Sequence, residues 1–95
     1  MIERHVTFKV LPGKEQDFER LFIEEYRPAM SSMPGFVNVH LLVDSENPQL
    51  YHMVIRFRSL EEAAAWRNSA LHQSLQPKLK ALYQESQVQV YEVIA

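Results

Sequence analysis

The sequence predicts an α+β fold of order β-α-β-β-α-β, with a four-stranded antiparallel sheet and helices on one face. Three observations predict it. Residues 2–10 alternate apolar and polar side chains with the period of a strand, and 36–43, 50–58 and 88–94 are further apolar-rich stretches of strand length. The stretches from Lys14 to about Met30 and from Ser59 to Gln84 carry apolar residues at helical spacing instead. Turn-forming residues separate them: Leu11-Pro12-Gly13, Met33-Pro34-Gly35 and Asp44 through Gln49. This order is the ferredoxin-like plan.

Each element has its own justification. In the first strand Arg4, Val6, Phe8 and Val10 share one parity, and His5, Thr7 and Lys9 the other. The first helix puts Phe18, Leu21, Phe22 and Ile23 on one side, with Tyr26 further along, and Glu15, Asp17, Glu19 and Glu24 outside. Pro28 is unfavourable inside a helix, so regular structure is expected to end near Arg27. The strands Phe36–Val43 and Leu50–Arg58 flank a short polar loop and should form a hairpin. Ser59 with Glu62 spells a capping box, in which each side chain satisfies an amide of the other residue. The helix it opens runs to about Arg67, and Asn68-Ser69 reads as a break. A further helix is expected over Leu71 to Gln84, with Leu75, Leu79 and Leu82 inward and a bend at Pro77. The last strand is expected over Val88 to Ile94.

The 95 residues suffice for a single domain spanning 1–95. A chain this short buries only roughly 60–65% of its unfolded surface, so association with a second copy would help it. A net charge of -2 gives no electrostatic footprint for nucleic acid or an anionic membrane. The first residues lack a basic region followed by an apolar one, and no apolar run approaches the ~20 residues of a membrane span. The expectation is a soluble, cytoplasmic protein. Without cysteine there is no disulfide, thiolate nucleophile, iron–sulfur cluster or cysteine-ligated zinc.

Helices cover one face of such a sheet, and in a monomer the other should be polar. Here both parities of the hairpin are apolar. Val37, Val39, Leu41 and Val43 face Phe36 and Leu42 across the second strand, and Tyr51, Met53, Ile55 and Phe57 oppose Leu50 and Val54 in the third. An apolar patch of this kind is usually covered, and a two-fold homodimer is the commonest way.

Element order, Pro34-Gly35-Phe36 leading into the second strand, Phe57 through Ala63 leading into the capped helix, and Ala65-Trp66 through Ser69 followed by His72 resemble the antibiotic biosynthesis monooxygenase family. The resemblance covers nearly the whole chain. It implies a dimeric α+β barrel with a ligand pocket in each subunit between sheet and helices. It also implies, as for several members, oxidation of polycyclic aromatic phenols or quinols by dioxygen without metal, flavin or haem, although many members have no known reaction. One branch of the family degrades haem. That branch has an asparagine on the first strand, a tryptophan on the helix and an iron-ligating histidine nine or ten residues later. Arg4 stands at the first position and Leu75 or Gln76 at the third, so only Trp66 matches and haem is disfavoured.

The candidate site residues each carry two readings. Trp66, the sole tryptophan, is either an aromatic wall for a flat substrate, holding dioxygen against the bound phenolate, or a core side chain. Arg4, on the parity expected to face the helices, either stabilises a phenolate or reduced oxygen, or reaches out to water. His40 and His52 lie on the paired strands, opposite one another or on different faces according to register, and either serves as a general base or sits at a dimer interface. Asn38 shares the parity of His40 and can hydrogen-bond a carbonyl. His72 follows Trp66 by six residues, about 120° off its face on a continuous helix, so only the break at Asn68 can bring the two together. Tyr26 either closes the pocket mouth or packs inside, and Phe22 and Met53 are expected as apolar walls. Glu61 and Glu62 favour the helix dipole. The four histidines show no metal-ligand spacing, and no metal is expected.

Two functions of different class follow. One is a cofactor-independent monooxygenase in which His52 or His72 deprotonates a small aromatic phenol or quinol. The other is a non-catalytic small-molecule-binding or stress-response module, whose pocket would have all four histidines outside it.

Overall fold

The computed structural model describes residues 1–95. Strand β1 (Ile2–Val10) leads into helix α1 (Glu15–Leu21), a π-helical turn (Phe22–Tyr26) and helix α2 (Arg27–Ser31). Strands β2 (Phe36–Val43) and β3 (Leu50–Phe57) follow, then helices α3 (Leu60–Arg67) and α4 (Ala70–Lys80) and strand β4 (Tyr83–Glu92). The sheet is antiparallel in the order β2-β3-β1-β4, the ferredoxin-like arrangement the residue pattern predicts. No helix is long and apolar enough to cross a membrane.

Register decides which residues meet. Arg4 lies between Ile55 and Val90, Val6 between Met53 and Val88, and Phe8 between Tyr51 and Ser86. These residues point to the helices. His5, Thr7, His52, Val54 and Arg56 point to the face no helix covers. One core joins Val6, Phe8, Met53, Ile55 and Phe57 of the sheet to Phe18, Phe22, Tyr26, Trp66, Leu75 and Leu79 of the helices. No charged residue is fully buried in it.

Three local features depart from the expected pattern. The first helix does not end near Arg27. The π-turn interrupts it, the Arg27 N–H reaches back to the Phe22 carbonyl, and α2 then begins with Pro28 in its first turn. There the missing proline N–H costs little. The same turn keeps Phe18, Phe22, Tyr26 and Met30 buried at four-residue spacing. On a regular helix each such step overshoots by about 40°, and the wider turn absorbs the drift. Ile23 is consequently turned outward and 51% exposed, not clustered with Phe22.

The second departure is β4, which starts at Tyr83 where helix was expected and ends at Glu92, short of Ile94. Its first half is polar (Gln84, Glu85, Ser86, Gln87) because it is an edge strand, and pairing with β1 fixes it there. The third is the cap of α3. Ser59 Oγ accepts from the Glu62 amide at 3.1 Å, but the Glu62 carboxylate accepts from the Ser59 hydroxyl at 3.0 Å rather than returning to an amide. That carboxylate lies over Gly35, whose φ is +80° and where a Cβ would come within 2.2 Å of it. Only glycine suits both demands.

Candidate functional site

A cavity of about 130 Å³ opens between α3, α4 and the β1–β4 half of the sheet. Its floor is Val6, Phe8 and Ile55, with Ser86 and Val88 of β4 at the edge. Its walls are Tyr26 from the π-turn, Trp66 from α3, and His72, Gln76 and Leu79 from α4. Tyr83 at the start of β4, Arg4 and Arg67 complete the lining.

The break between α3 and α4 builds the aromatic corner. Ser69 caps α4, its Oγ accepting from the His72 amide at 3.1 Å while its hydroxyl donates to the Trp66 carbonyl at 2.7 Å. One serine thus ends the tryptophan's helix and starts the histidine's. The reorientation brings residues that a continuous helix would splay apart to a ring separation of 5.0 Å, edge to face. Tyr26 meets the Trp66 ring at 5.6 Å and the His72 ring at 6.1 Å. Trp66 is 2% exposed, so it serves the core and the cavity wall together. The sequence marked Asn68-Ser69 as a break; a serine three residues before a helical amide was the further sign of a cap.

The electrostatics of the corner are uncompensated. Arg4 is half-buried and makes no ion pair, for the chain's ion pairs join Glu3 to His5 and Arg56, and Glu25 to Lys78. Burial, then the nearby Arg67 charge, holds the Arg4 guanidinium below its usual range. Burial, then the Arg4 charge, also lowers His72, against an opposing pull from the Arg67 backbone. The imidazole is therefore neutral at pH 7 and free to take a proton. Burial pushes the Tyr26 phenol up to about 12, with Arg4 and the Trp66 side chain pulling the other way. It stays a neutral hydroxyl.

The two nitrogens of His72 differ. Nε2 lies 3.0 Å from the Gln76 side-chain amide, one helical turn along, while Nδ1 is buried without a partner. If the amide NH2 donates to Nε2, the ring proton is orphaned on Nδ1, at about 1–3 kcal/mol. If the amide oxygen accepts from Nε2–H, Nδ1 keeps a free lone pair. The second arrangement avoids a buried unpaired donor.

The other sequence candidates lie elsewhere. Met53 belongs to the closed core and does not line the cavity. Phe22 stacks on Tyr26 at 6.5 Å and fronts a separate groove of about 300 Å³ beside β2, with Arg27 and Val39. This groove is the larger, but it lacks the convergence of Trp66, His72 and Arg4. Asn38, His40 and His52 share the parity of the uncovered face, and at the β2 edge His40 also borders that groove and Asn38 a neighbouring one. His52 is opposite Leu42 and His40 opposite Val54, so the histidines share a face but are diagonal, neither directly opposed nor on different faces. There His52 Nε2 sits 3.1 Å from His5 Nδ1, His5 Nε2 is 3.0 Å from Glu3, and Arg56 donates to Glu3 at 2.7 Å. Sequence parity could not show which face was covered, and so could not separate His52 from His72.

Among curated proteins none matches the chain. Solved structures do. A Nitrosomonas europaea protein bearing the name antibiotic biosynthesis monooxygenase superposes with TM-score 0.89 at 14% identity, covering 100% of both chains. SnoaB from Streptomyces nogalater, a cofactor-independent oxygenase, superposes with TM-score 0.89 at 18% identity over 99% of this chain and 93% of its own. A Bordetella bronchiseptica protein of the same family name reaches 26% identity with TM-score 0.85, covering 99% and 97%. The sequence model of the family, described as antibiotic biosynthesis monooxygenase, matches residues 1–78, a span that includes β1, the π-turn and the Trp66–His72 corner. The chain belongs to the antibiotic biosynthesis monooxygenase family.

Proposed function

We propose that the chain is a cofactor-independent monooxygenase that oxidises a small aromatic phenol or quinol with dioxygen in the cavity between α3, α4 and the sheet. The observation that carries this reading is the convergence of Trp66, Tyr26, His72 and Arg4 on one apolar-floored cavity. His72, neutral and lining the cavity, takes the phenolic proton. Arg4 stabilises the resulting phenolate. The phenolate passes one electron to dioxygen, and the phenoxyl and superoxide recombine at a ring carbon. The peroxide takes the proton back from His72, and the hydroperoxide so formed loses water, so that one oxygen atom enters the quinone product and the other leaves as water. Trp66 forms the wall against which the ring lies, and the surrounding side chains exclude water from the radical pair.

The kinship with SnoaB, titled a cofactor-independent oxygenase, supports a reaction without cofactor. Haem degradation is disfavoured, because Leu75 is a core residue and Gln76 is bonded to His72 where that branch has its iron ligand. The protein acts as a homodimer through the uncovered sheet face, where Leu42 is 52% exposed beside Leu50 and Val54. Asn38, His40 and His52 then belong to that interface. A purely binding module predicts all four histidines away from the cavity, and His72 is on it.

The test is dioxygen uptake by metal-free protein over a panel of phenols and quinols, alongside Trp66→Phe and His72→Gln. Saturable uptake that both substitutions reduce supports the oxygenase. Uptake that His72→Gln leaves untouched removes His72 as the base. Binding of these compounds without uptake transfers the site to the binding module.

A further inference from the structure

We infer that the cavity takes a monocyclic aromatic carboxylate, a ring of the hydroxybenzoate class, with its carboxylate held by Arg4 and Arg67. The inference rests on the oxygenase reading for its site and deepens it by naming the substrate class. Two independent observations carry it.

The first is size. A dry cavity of about 150 Å³ holds one benzene ring. The space here, about 130 Å³, is of that order. It accommodates a single six-membered ring with small substituents, whereas a fused three-ring system would have to displace the floor of Val6, Phe8 and Ile55 or the Trp66 wall. Those residues are closed into the core and cannot retreat cheaply.

The second is charge. Arg4 and Arg67 both line the cavity, and no aspartate or glutamate does. Neither arginine has an ion-pair partner anywhere in the chain. Two cations facing one partly buried space repel each other, and such charges are normally paired. A neutral phenol would leave both uncompensated until it lost its proton. A carboxylate is anionic on arrival and matches the planar fork of a guanidinium through two parallel hydrogen bonds. After His72 removes the phenolic proton, the hydroxybenzoate dianion faces two guanidiniums and the imidazolium. Arg67, exposed at the mouth, meets the carboxylate as it enters, and the half-buried Arg4 on β1 holds it.

The chain carries its own reporter, since Trp66 is the sole tryptophan and stands on the cavity wall. Quenching of its fluorescence under anaerobic conditions measures binding without turnover. The probes are 4-hydroxybenzoate, phenol and anthracene-2-carboxylate. We expect 4-hydroxybenzoate to bind at least about tenfold tighter than phenol, as a charge-assisted pair implies. Anthracene-2-carboxylate should not bind. Arg4→Gln should remove the preference for the carboxylate, Arg67→Gln should reduce it, and Arg4→Lys should keep part of it. Circular dichroism establishes that each variant is folded, and Arg67→Gln, on an exposed residue, serves if Arg4→Gln is not. Equal affinity for phenol and 4-hydroxybenzoate, tight binding of the three-ring acid, or an unchanged preference in Arg67→Gln and Arg4→Gln would overturn the inference. Carboxylate binding without dioxygen uptake would leave it standing while removing the oxygenase reading.

Discussion

The two faces of the sheet use the same residue types in opposite ways. On the uncovered face Arg56, Glu3, His5 and His52 form an unbroken chain of contacts, and the Tyr91 ring packs on His5 at 4.8 Å. Every charge there has a neighbour of opposite sign or a hydrogen-bond partner. Around the cavity, the half-buried Arg4 and the exposed Arg67 have no carboxylate, and His72 has a buried nitrogen with no partner. A polar set that satisfies itself needs nothing further and suits a structural or interfacial role. A polar set left open around a cavity is the arrangement a bound ligand would complete. Abundance of histidine did not distinguish the two faces; completeness of pairing did.

The largest test of this contrast is a pair of histidine substitutions. His72→Gln should lower kcat for dioxygen uptake by about 10²-fold or more, the ordinary contribution of a general base. His52→Gln should leave kcat close to that of the parent protein. Comparable losses in both would erase the distinction between the faces. Trp66→Ala should cost about 3–5 kcal/mol of stability in chemical denaturation, because the ring fills the core as well as the cavity. Trp66→Phe should remain folded and lose activity.

A smaller structural effect is expected at Gly35. Gly35→Ala places a side chain at φ +80° against the Glu62 carboxylate, and should lower stability by about 1–3 kcal/mol. Adding Glu62→Ala should recover only the part due to the clash. Ser69→Ala removes a cap, about 1 kcal/mol, but it also loosens the tie between Trp66 and His72. Its kcat should therefore fall more than its stability suggests.

The mildest test is pH. Because burial and Arg4 lower His72, the acid limb of kcat/KM should lie below the ordinary histidine value of 6.5. Stability follows the same sign. Below pH 6.5 the unfolded state binds a proton that the folded state resists, so the contribution of neutral His72 is present above that pH and is lost as pH falls through the folded value. His72→Gln should flatten this dependence in thermal melts recorded from pH 7 to pH 5.

Much of the fold was legible in the residues. The three strands with clear alternation were expected at Ile2, Phe36 and Leu50 and begin there, because one face of each is buried and register leaves a period-two trace. β4 was partly hidden, since an edge strand with an open first half needs no such alternation. The π-turn left no local signal except Pro28, whose place in the chain makes sense only once the wide turn before it is known. The site was half legible. Trp66, Arg4, Tyr26 and His72 were named from the residues, but so were His52, Asn38 and Met53. Separating these groups required knowing which face the helices cover and how Ser69 redirects the chain, and both are tertiary facts. Arg67 and Gln76 escaped notice because a charged or amide residue on an amphipathic helix has no distinguishing pattern.

The extra residue of the π-turn and Pro28 are an epistatic pair. Deleting the outward-facing Ile23 would restore regular winding, but it would carry Pro28 into the helix interior, where a proline costs about 3 kcal/mol, and swing Tyr26 off the cavity. Replacing Pro28 with alanine should suppress the folding defect of that deletion without restoring the position of Tyr26. Descendants of this chain can therefore shed the bulge only by first giving up the proline, and each that keeps the proline remains committed to the bulge.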